Sequence, residues 1–335
     1  KPPPDIAMAA GYSFGQLVVE HDPEVFVAQS DIKDYFYSIG LPDYLHPFFS
    51  LPPIRSDLLS GRIPELCGRD PSLVIFPQMK VVPMGWSWAM FFAQRIHQHQ
   101  VMIGAGIPHH RVLADGRPAP VLKDESVVIV PYADNLNVIG TNKDEVQRVK
   151  DQAVAQLRKV GFRVHEEEDA SLEAKALGFI INGSKRKIFP FPEKRDKVIQ
   201  CLIWLSRRPR VSGRVVERII GHCVHFFTLR REMLSIFRSV YDFKTAHYNK
   251  QVRLWRSAAD ECRWAANLLW ICESDMGKQW SGEVTVSDAC LSGTAACSME
   301  IHAKDAAEIG STRELWRYKS RSSCVKAREI VRQQV

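Results

Sequence analysis

The sequence lacks three patterns that would place it outside the ordinary intracellular proteins. It has no apolar run of about 20 residues, which excludes a transmembrane helix and a membrane partner. It has no basic segment followed by an apolar one at its N-terminus, which excludes a secretion signal. Its eight cysteines form no C-x-x-C pair and no pattern with paired histidines, so neither a zinc site nor a disulfide framework is expected. We therefore expect a protein of a reducing intracellular compartment, the cytoplasm or the nucleus.

The chain of 335 residues is long enough for two or three domains, and its 45% apolar and 25% charged residues are ordinary for a globular protein. Position 1 is Lys rather than Met, and the last residues continue a charged, helical pattern without a stop signal. We therefore expect the sequence to be a fragment of a longer polypeptide.

Positive charge is concentrated in one segment. Between Glu193 and Arg263 there are 16 Lys and Arg residues against 7 Asp and Glu residues, whereas the rest of the chain is slightly acidic. Seven aromatic residues alternate with these charges: Trp204, Phe226, Phe227, Tyr241, Phe243, Tyr248 and Trp255. This composition suits contact with a phosphate backbone. The alternative is a set of solvated helix faces over an aromatic core.

The segment Val127–Gly140 contains two β-rich apolar runs that flank Tyr132, Ala133, Asp134 and Asn135. Asp and Asn between two such runs favour a tight turn, so the pattern predicts a β-hairpin with Asp134 at its tip. Taken alone, this pattern favours an ordinary hairpin with a solvated carboxylate.

A second carboxylate lies far upstream, in Val25–Ile39, which is predicted to be a strand that leads into a short helix. Asp31 lies where the strand ends, and the aromatic Phe36 follows five positions later. Two carboxylates from neighbouring strands that hold two Mg²⁺ ions are what in-line phosphoryl or nucleotidyl transfer needs.

Between the two carboxylates, Val81–Gln100 contains Pro83 and Gly85 and then an apolar helical pattern. A turn that contains glycine and opens a helix lets the backbone approach a ligand closely. The alternative is a turn before a core helix that is rich in Trp and Phe.

Together these segments resemble the reverse transcriptases, most closely those of long-terminal-repeat or DIRS-like retroelements. The run from Asp31 to Tyr37, D-I-K-D-Y-F-Y, resembles motif A; P-M-G-W-S-W-A from Pro83 with Gln94 resembles motif B; and Y-A-D-N from Tyr132 resembles motif C. The resemblance implies an α+β right-hand polymerase fold. It has an antiparallel palm sheet backed by helices, a helical thumb and connection, and a partial RNase H-like α/β segment.

The resemblance also implies domain boundaries. Residues 1–24 would be an N-terminal arm or remnant of the fingers, 25–191 the palm with finger insertions, 192–275 the basic thumb and connection, and 280–335 a truncated RNase H-like segment. The part of the fingers that precedes motif A in this family, with its phosphate-binding Lys and Arg, is expected to be missing.

The roles that the resemblance implies concern a polymerase that uses dNTPs and Mg²⁺ or Mn²⁺. Asp31 and Asp134 would be the metal ligands, and Asn135 occupies the third catalytic position. Phe36 would be the gate that excludes a ribose 2′-OH. The nucleotide-binding residues would be Ile32, through its backbone, with Phe36, Met84, Gly85 and Gln94.

Two elements after motif C are predicted to be scaffold. Asn142–Gly161 is a helix with Asn142 as its N-cap and an apolar stripe of Val146, Val149, Ala153, Leu157 and Val160. Residues 176–189 form a hairpin with a turn at Asn182 and Gly183. Leu177, Gly178 and Phe179 resemble the primer grip of the family.

The basic segment Glu193–Cys272 is predicted to be helical, with one apolar stripe of Val216, Ile219, Ile220, Cys223 and Phe227 and another of Val252, Trp255, Cys262, Ala266 and Leu269. As the thumb, it would contact an RNA/DNA template–primer duplex. The candidate nucleic-acid-binding residues are Arg207, Arg208, Arg210, Arg214 and Arg218.

Near the C-terminus, Glu283–Ser298 is predicted to form a strand, a turn and a second strand. It resembles the start of a retroelement RNase H domain, with Asp288 as the first metal ligand and Glu308 or Glu314 as another. A remnant with a purely structural role is an equal alternative.

Three departures from the family pattern bear on activity. Asn135 replaces the second carboxylate of motif C, Tyr35 replaces a small residue beside the gate, and the motif D Lys is absent. His165 could donate a proton in place of that Lys, but the pattern favours a surface histidine beside an acidic run. The first hypothesis is therefore an RNA-directed DNA polymerase. The second is a decayed polymerase fold that binds nucleic acid without synthesis, and the third is an unrelated α+β enzyme with a carboxylate pair.

Overall fold

The computed structural model describes residues 2–59, 61–66, 70–123, 125–290 and 292–311. The α-helices are α1 (Gly11–Gly15), α2 (Ala89–Ala105), α3 (Lys143–Lys159), α4 (Pro192–Arg207), α5 (Gly213–Phe227), α6 (Ser239–Ala246), α7 (Arg256–Leu268) and α8 (Ala303–Ser311). The strands are β1 (Phe26–Ile32), β2 (Ile54–Arg55), β3 (Val74–Ile75), β4 (Val127–Tyr132), β5 (Asn135–Gly140), β6 (Val164–Ser171), β7 (Glu173–Ala176), β8 (Phe179–Asn182), β9 (Lys187–Pro190), β10 (Ser274–Asp275), β11 (Glu283–Cys290) and β12 (Gly293–Glu300).

The central sheet has the strand order β4-β5-β1-β6, and all of its neighbouring strands are antiparallel. The predicted strand before the short helix and the predicted hairpin are both confirmed. Strands β4 and β5 are apolar and almost wholly buried because protein covers both faces of the sheet. Strand β1 lies between the hairpin and β6, which brings its C-terminal end beside the hairpin turn.

Helices α2 and α3 pack on one face of this sheet. Asn142 caps α3 as predicted, because its side-chain oxygen accepts hydrogen bonds from the backbone N–H groups of Asp144 and Glu145. Four members of the predicted stripe are fully buried: Val146, Val149, Ala153 and Leu157. The fifth was wrong, since Val160 caps the C-terminus of the helix and is exposed.

The other face of the sheet belongs to a second core that continues into the helices after residue 192. Val27 and Val128 of the sheet share this core with Phe14 of the N-terminal arm, Phe179 and the α5 residue Phe227. All five side chains are fully or almost fully buried. The N-terminal arm is therefore packed into the fold through Phe14.

A smaller antiparallel sheet, β10-β9-β8-β7, carries the hairpin predicted over residues 176–189. The predicted two-residue turn at Asn182 and Gly183 was wrong, because Asn182 pairs with Lys187 and four residues lie between them. Gly183 has no left-handed φ here. It is required because a Cβ at this position would overlap the backbone carbonyl oxygen of Val25, which lies against the loop.

The segment after β9 is helical, as predicted, and consists of α4 to α7 with short 3₁₀ turns. The predicted α5 stripe faces the core, although Ile219 is only partly buried. The second stripe was wrong at its start, since Val252 forms an isolated bridge with Val211 and Trp255 is the N-cap of α7. Both residues precede the helix, so helical spacing does not apply to them.

The strand–turn–strand prediction near the C-terminus is confirmed by β11 and β12, which pair with each other, while α8 lies against β11. Glu314, one of the proposed RNase H-like ligands, lies outside the described residues. Across the described ranges, no helix is both long and apolar enough to cross a membrane.

Candidate active site

The structure brings the two predicted catalytic carboxylates together where the end of β1 meets the β4–β5 turn. This end of the strands is called the catalytic edge of the central sheet. Asp31, near the end of β1, is in register with Asn135, the first residue of β5. The next backbone N–H, that of Ile32, donates a hydrogen bond to the carbonyl oxygen of Asp134 at 3.1 Å. Asp31 and Asp134 are therefore neighbours although 102 residues separate them in the sequence.

The turn that carries Asp134 has two residues, because Tyr132 pairs with Asn135. Its first residue, Ala133, has a φ of 50°, a left-handed conformation that costs a non-glycine residue of order 1 kcal/mol. The sequence offers no glycine at this position, so the surrounding structure must hold the turn.

Helix α2 holds this turn with two side chains. The Gln94 side-chain oxygen accepts from the Ala133 N–H at 2.9 Å, and its amide nitrogen donates to the Pro131 carbonyl at 2.7 Å. The His97 Nδ1 donates to the Ala133 carbonyl at 2.6 Å. Gln94 was predicted to bind nucleotide, but its side chain is buried and both ends of its amide are used by the turn. Its influence on a nucleotide would therefore pass through Asp134.

Sequence reasoning missed His97. It is fully buried, and burial lowers the pKa of its imidazole to about 4, so the ring is neutral near pH 7. The only signal in the sequence was its spacing of three residues from Gln94, which places both side chains on one face of α2. Its Nε2 atom is buried without a hydrogen-bond partner.

His165 contacts the first carboxylate. Strand β6 has an irregularity where Asp31 pairs with Glu166 and Ile32 pairs with Val164, which leaves His165 unpaired. The His165 Nε2 donates to the Asp31 Oδ1 at 2.8 Å. Burial raises the pKa of Asp31, the His165 hydrogen bond opposes that shift, and the charge of Asp134 adds to it. The two carboxylates are therefore within electrostatic reach of each other.

Asn135 is exposed and contacts its neighbour in the turn. Its side-chain amide donates to the Asp134 Oδ1 at 3.0 Å. A carboxylate at this position would repel Asp134, whereas the amide donates a hydrogen bond to it. Asn135 therefore occupies one lone pair of the carboxylate that was predicted to bind metal.

This edge supplies two carboxylates that could bind a divalent cation. Asp31 and Asp134 supply hard carboxylate oxygens, and their mutual repulsion is what a bound cation would relieve. In the described part of the chain, no group of three or more His, Cys, Asp or Glu side chains is placed to hold a metal. Mg²⁺ commonly uses one or two carboxylates and takes its other ligands from water and substrate phosphates, so two carboxylates suffice for such a site.

The two aromatic residues after Asp31, Tyr35 and Phe36, differ in burial. Tyr35 is buried, its hydroxyl donates to the Ala93 carbonyl at 2.7 Å, and burial raises its pKa. The Tyr35 side chain is therefore part of the core beside α2. Phe36 lies in the 3₁₀ turn Tyr35–Ser38 and is partly buried, and its role as a gate stays a prediction.

The predicted nucleotide loop before α2 is open. Gly85 has a φ of 97°, a conformation that favours glycine, and Met84 beside it is exposed. The loop backbone is attached to the segment after Phe36, since the Val82 N–H donates to the Ile39 carbonyl at 2.9 Å. The motif A and motif B segments therefore lie side by side.

The residues predicted to be a primer grip form the β7–β8 turn. Leu177 and Gly178 both have a positive φ, and the Leu177 carbonyl accepts from the His225 Nε2 of α5 at 3.0 Å. A Cβ on Gly178 would lie 2.9 Å from that same nitrogen atom. Phe179 is fully buried and stacks on the His225 ring, whereas Leu177 and Gly178 are partly exposed.

The five predicted nucleic-acid-binding arginines lie around the α4–α5 connection. Arg207 ends α4, Arg208 stacks on the ring of Trp204 at 4.5 Å, and Arg210 donates to the Gln251 carbonyl. Arg214 and Arg218 are on α5. Asp288, the RNase H-like candidate, is exposed on β11 opposite Ala295, far from this group in sequence, and its role stays a prediction.

Comparison with known proteins identifies the fold. No protein-family model and no curated protein sequence matches the chain. Among solved structures, it is similar to a foamy viral protease–reverse transcriptase, dRH, in complex with ds DNA, with a TM-score of 0.56 and 10% sequence identity. The alignment covers 89% of this chain and 44% of the viral chain, so the chain spans less than half the length of that protein. The chain has a reverse-transcriptase-like fold. The predicted α+β polymerase fold, with palm and thumb, is therefore confirmed.

Proposed function

We propose that the chain is the RNA-directed DNA polymerase, or reverse transcriptase, of a long-terminal-repeat or DIRS-like retroelement. It would extend a DNA primer on an RNA template by adding dNTPs. The observation that supports this most is the meeting of Asp31 and Asp134 at one sheet edge, within a fold similar to that of a viral reverse transcriptase. Carboxylates in this arrangement suit nucleotidyl transfer.

Asp31 and Asp134 would hold Mg²⁺ or Mn²⁺, together with the backbone carbonyl of Ile32. The cations would neutralise phosphate charge and activate the primer 3′-OH. Gln94 and His97 hold the turn and so fix the position of Asp134. Phe36 would exclude the ribose 2′-OH, and the open loop at Met84 and Gly85 would lie against the nucleotide.

The template–primer duplex would be the macromolecular partner. The viral relative is described in complex with ds DNA. In this chain, the excess of positive charge in the helices after residue 192 supports contact with a duplex, as does the accessible turn at Leu177 and Gly178. Within the thumb, Arg214 and Arg218 on α5 would contact the phosphates of the duplex.

Primer extension on an RNA template, in Mg²⁺ and in Mn²⁺, tests the proposal. Asp134→Ala is expected to reduce extension at least about 100-fold, since it removes a group that acts on developing charge. Asp43→Ala removes a fully exposed carboxylate elsewhere and serves as the matched control. Extension by Asp134→Ala at the rate of the unchanged chain would exclude the mechanism.

A second candidate is a polymerase fold that binds nucleic acid without synthesis. Two contacts favour it: the Asn135 amide occupies Asp134, and His165 occupies Asp31. Both reduce the lone pairs that are free for a cation. If only Asn135→Asp extends the primer, the fold is intact and disabled at one ligand, and this second candidate is correct for the natural sequence.

A further inference from the structure

Six arginines line a cavity to which Asp31, Asp134 and Asn135 do not contribute. The cavity has a volume of about 840 Å³ and lies between the α4–α5 connection and the start of α7. Its arginines come from two stretches of the chain that are more than 40 residues apart: Arg207, Arg208, Arg210, Arg253, Arg256 and Arg263. Arg214 and Arg218, which were grouped with the first three by sequence, do not line it.

The positive charge of this cavity is largely uncompensated. Among the described residues, one of the six arginines forms an ion pair, Arg263 with Asp260. Arg210 donates to a backbone carbonyl, which leaves its charge intact. The first turn of α7 forms part of the wall, and its N-cap, Trp255, provides no capping side chain. The positive end of the helix dipole therefore adds to the field of the arginines, and the cavity favours an anion.

A second cavity, of about 400 Å³, adjoins the first. It is lined by Gln200, Ile203 and Trp204, and it shares Arg207, Arg208 and Pro209 with the arginine cavity. Trp204 is 45% exposed, although the Arg208 guanidinium lies over its ring at 4.5 Å. An exposed indole next to a row of arginines is the combination that binds unpaired nucleic acid, because phosphates contact the cations while a base stacks on the ring.

We propose that these two adjoining cavities bind a single strand of nucleic acid. Phosphates would lie among the arginines, and an unpaired base would lie against Trp204. A duplex fits less well, because its bases are stacked inside the helix and cannot reach an indole. The site rests on the nucleic-acid-binding part of the proposed function but requires no catalysis at Asp31 and Asp134.

The test measures binding of a fluorescent 12-nucleotide strand by anisotropy in the absence of dNTPs and divalent cations. Arg253→Gln/Arg256→Gln is expected to weaken binding about tenfold and to reduce the salt slope by about 1.4, since each phosphate contact contributes roughly 0.7. Lys143→Gln/Lys159→Gln removes the same charge from exposed positions of α3 and should change little. Arg253→Lys/Arg256→Lys keeps the charge and should retain most of the affinity, which would attribute the loss in the Gln variant to the positive charge.

Trp204→Leu separates a strand from a simple anion. It should weaken binding of the normal strand several-fold and leave an abasic strand of equal length unaffected. Equal binding by Arg253→Gln/Arg256→Gln and the α3 control overturns the proposal. So does a Trp204→Leu variant with unchanged strand affinity, which would leave an anion site that tripolyphosphate should then occupy equally well. Repeating the titration with Asp134→Ala separates this result from the proposed function. If Asp134→Ala loses extension but binds the strand unchanged, the strand site does not depend on catalysis at Asp134.

Discussion

Gln94 binds the backbone of Ala133 with its side-chain oxygen, at 2.9 Å, across the interface between α2 and the central sheet. Its amide nitrogen binds the other side of the same turn, at Pro131. One buried side chain therefore satisfies a donor and an acceptor of the strained turn that carries Asp134. The turn needs this support because Ala133 has a left-handed φ without being glycine.

Replacing Gln94 by Met keeps the length of the side chain and removes both hydrogen bonds. The Ala133 N–H and the Pro131 carbonyl would then be buried without partners, at a cost of about 1–3 kcal/mol each. We expect the free energy of unfolding to fall by about 2–5 kcal/mol in urea denaturation. Gln98→Met is the control, since within the described ranges the Gln98 amide donates to the sulfur of Met102 and to no backbone group. Equal loss in the two variants would mean that the turn does not depend on Gln94.

Asn135→Asp adds a third carboxylate to the edge that holds Asp31 and Asp134. It removes the hydrogen bond to Asp134 and adds like charge, so stability without a cation should fall by roughly 1 kcal/mol. Mn²⁺ affinity should rise about tenfold, because affinity follows the number of charged ligands. Mn²⁺ titration followed by electron paramagnetic resonance measures this directly. Asn142→Asp adds the same charge at a helix cap that tolerates Asp, and it should leave Mn²⁺ affinity unchanged.

The burial of His97 predicts that the free energy of unfolding falls in acid. Burial lowers its pKa from 6.5 to about 4, so the unfolded chain binds a proton more readily than the folded one. Its stabilising contribution is therefore complete above pH 6.5 and is lost as the pH falls towards 4, by up to roughly 3 kcal/mol. His97→Gln retains a donor for the Ala133 carbonyl and does not titrate, so its stability should fall less steeply over this range. The exposed His99→Gln should keep the steep profile, and a steep profile in both variants would remove His97 as the cause.

The sequence predicted the strands and helices that are marked by a pattern within their own residues. The β-rich runs beside Asp134, the strand before Asp31 and the capped helix after Asn142 each carry their own pattern, and the structure contains all three. The meeting of Asp31 and Asp134 followed from the motif resemblance, since strand order cannot be read from spacing.

What could not be predicted depends on packing between distant segments. The contacts of Gln94 and His97 with the turn exist only because α2 crosses the sheet beneath Ala133. The arginine cavity joins Arg207 to Arg253 and Arg256, more than 40 residues away, through the antiparallel bridge between Val211 and Val252. No local pattern marks either arrangement.

A glycine can be required either for a left-handed φ or for the space that a Cβ would fill, and Gly183 is of the second kind. It was expected to be a turn glycine, but its φ is ordinary, and what it provides is room for the Val25 carbonyl oxygen. Gly183→Ala should therefore lower the free energy of unfolding by about 3 kcal/mol or more, because backbone must move. Gly221 in α5 has no atom within 4 Å of a Cβ, so Gly221→Ala should stabilise the chain by about 0.5–1 kcal/mol. Thermal denaturation of the two variants should shift in opposite directions, and a shared direction would contradict the close approach of Val25 to this loop.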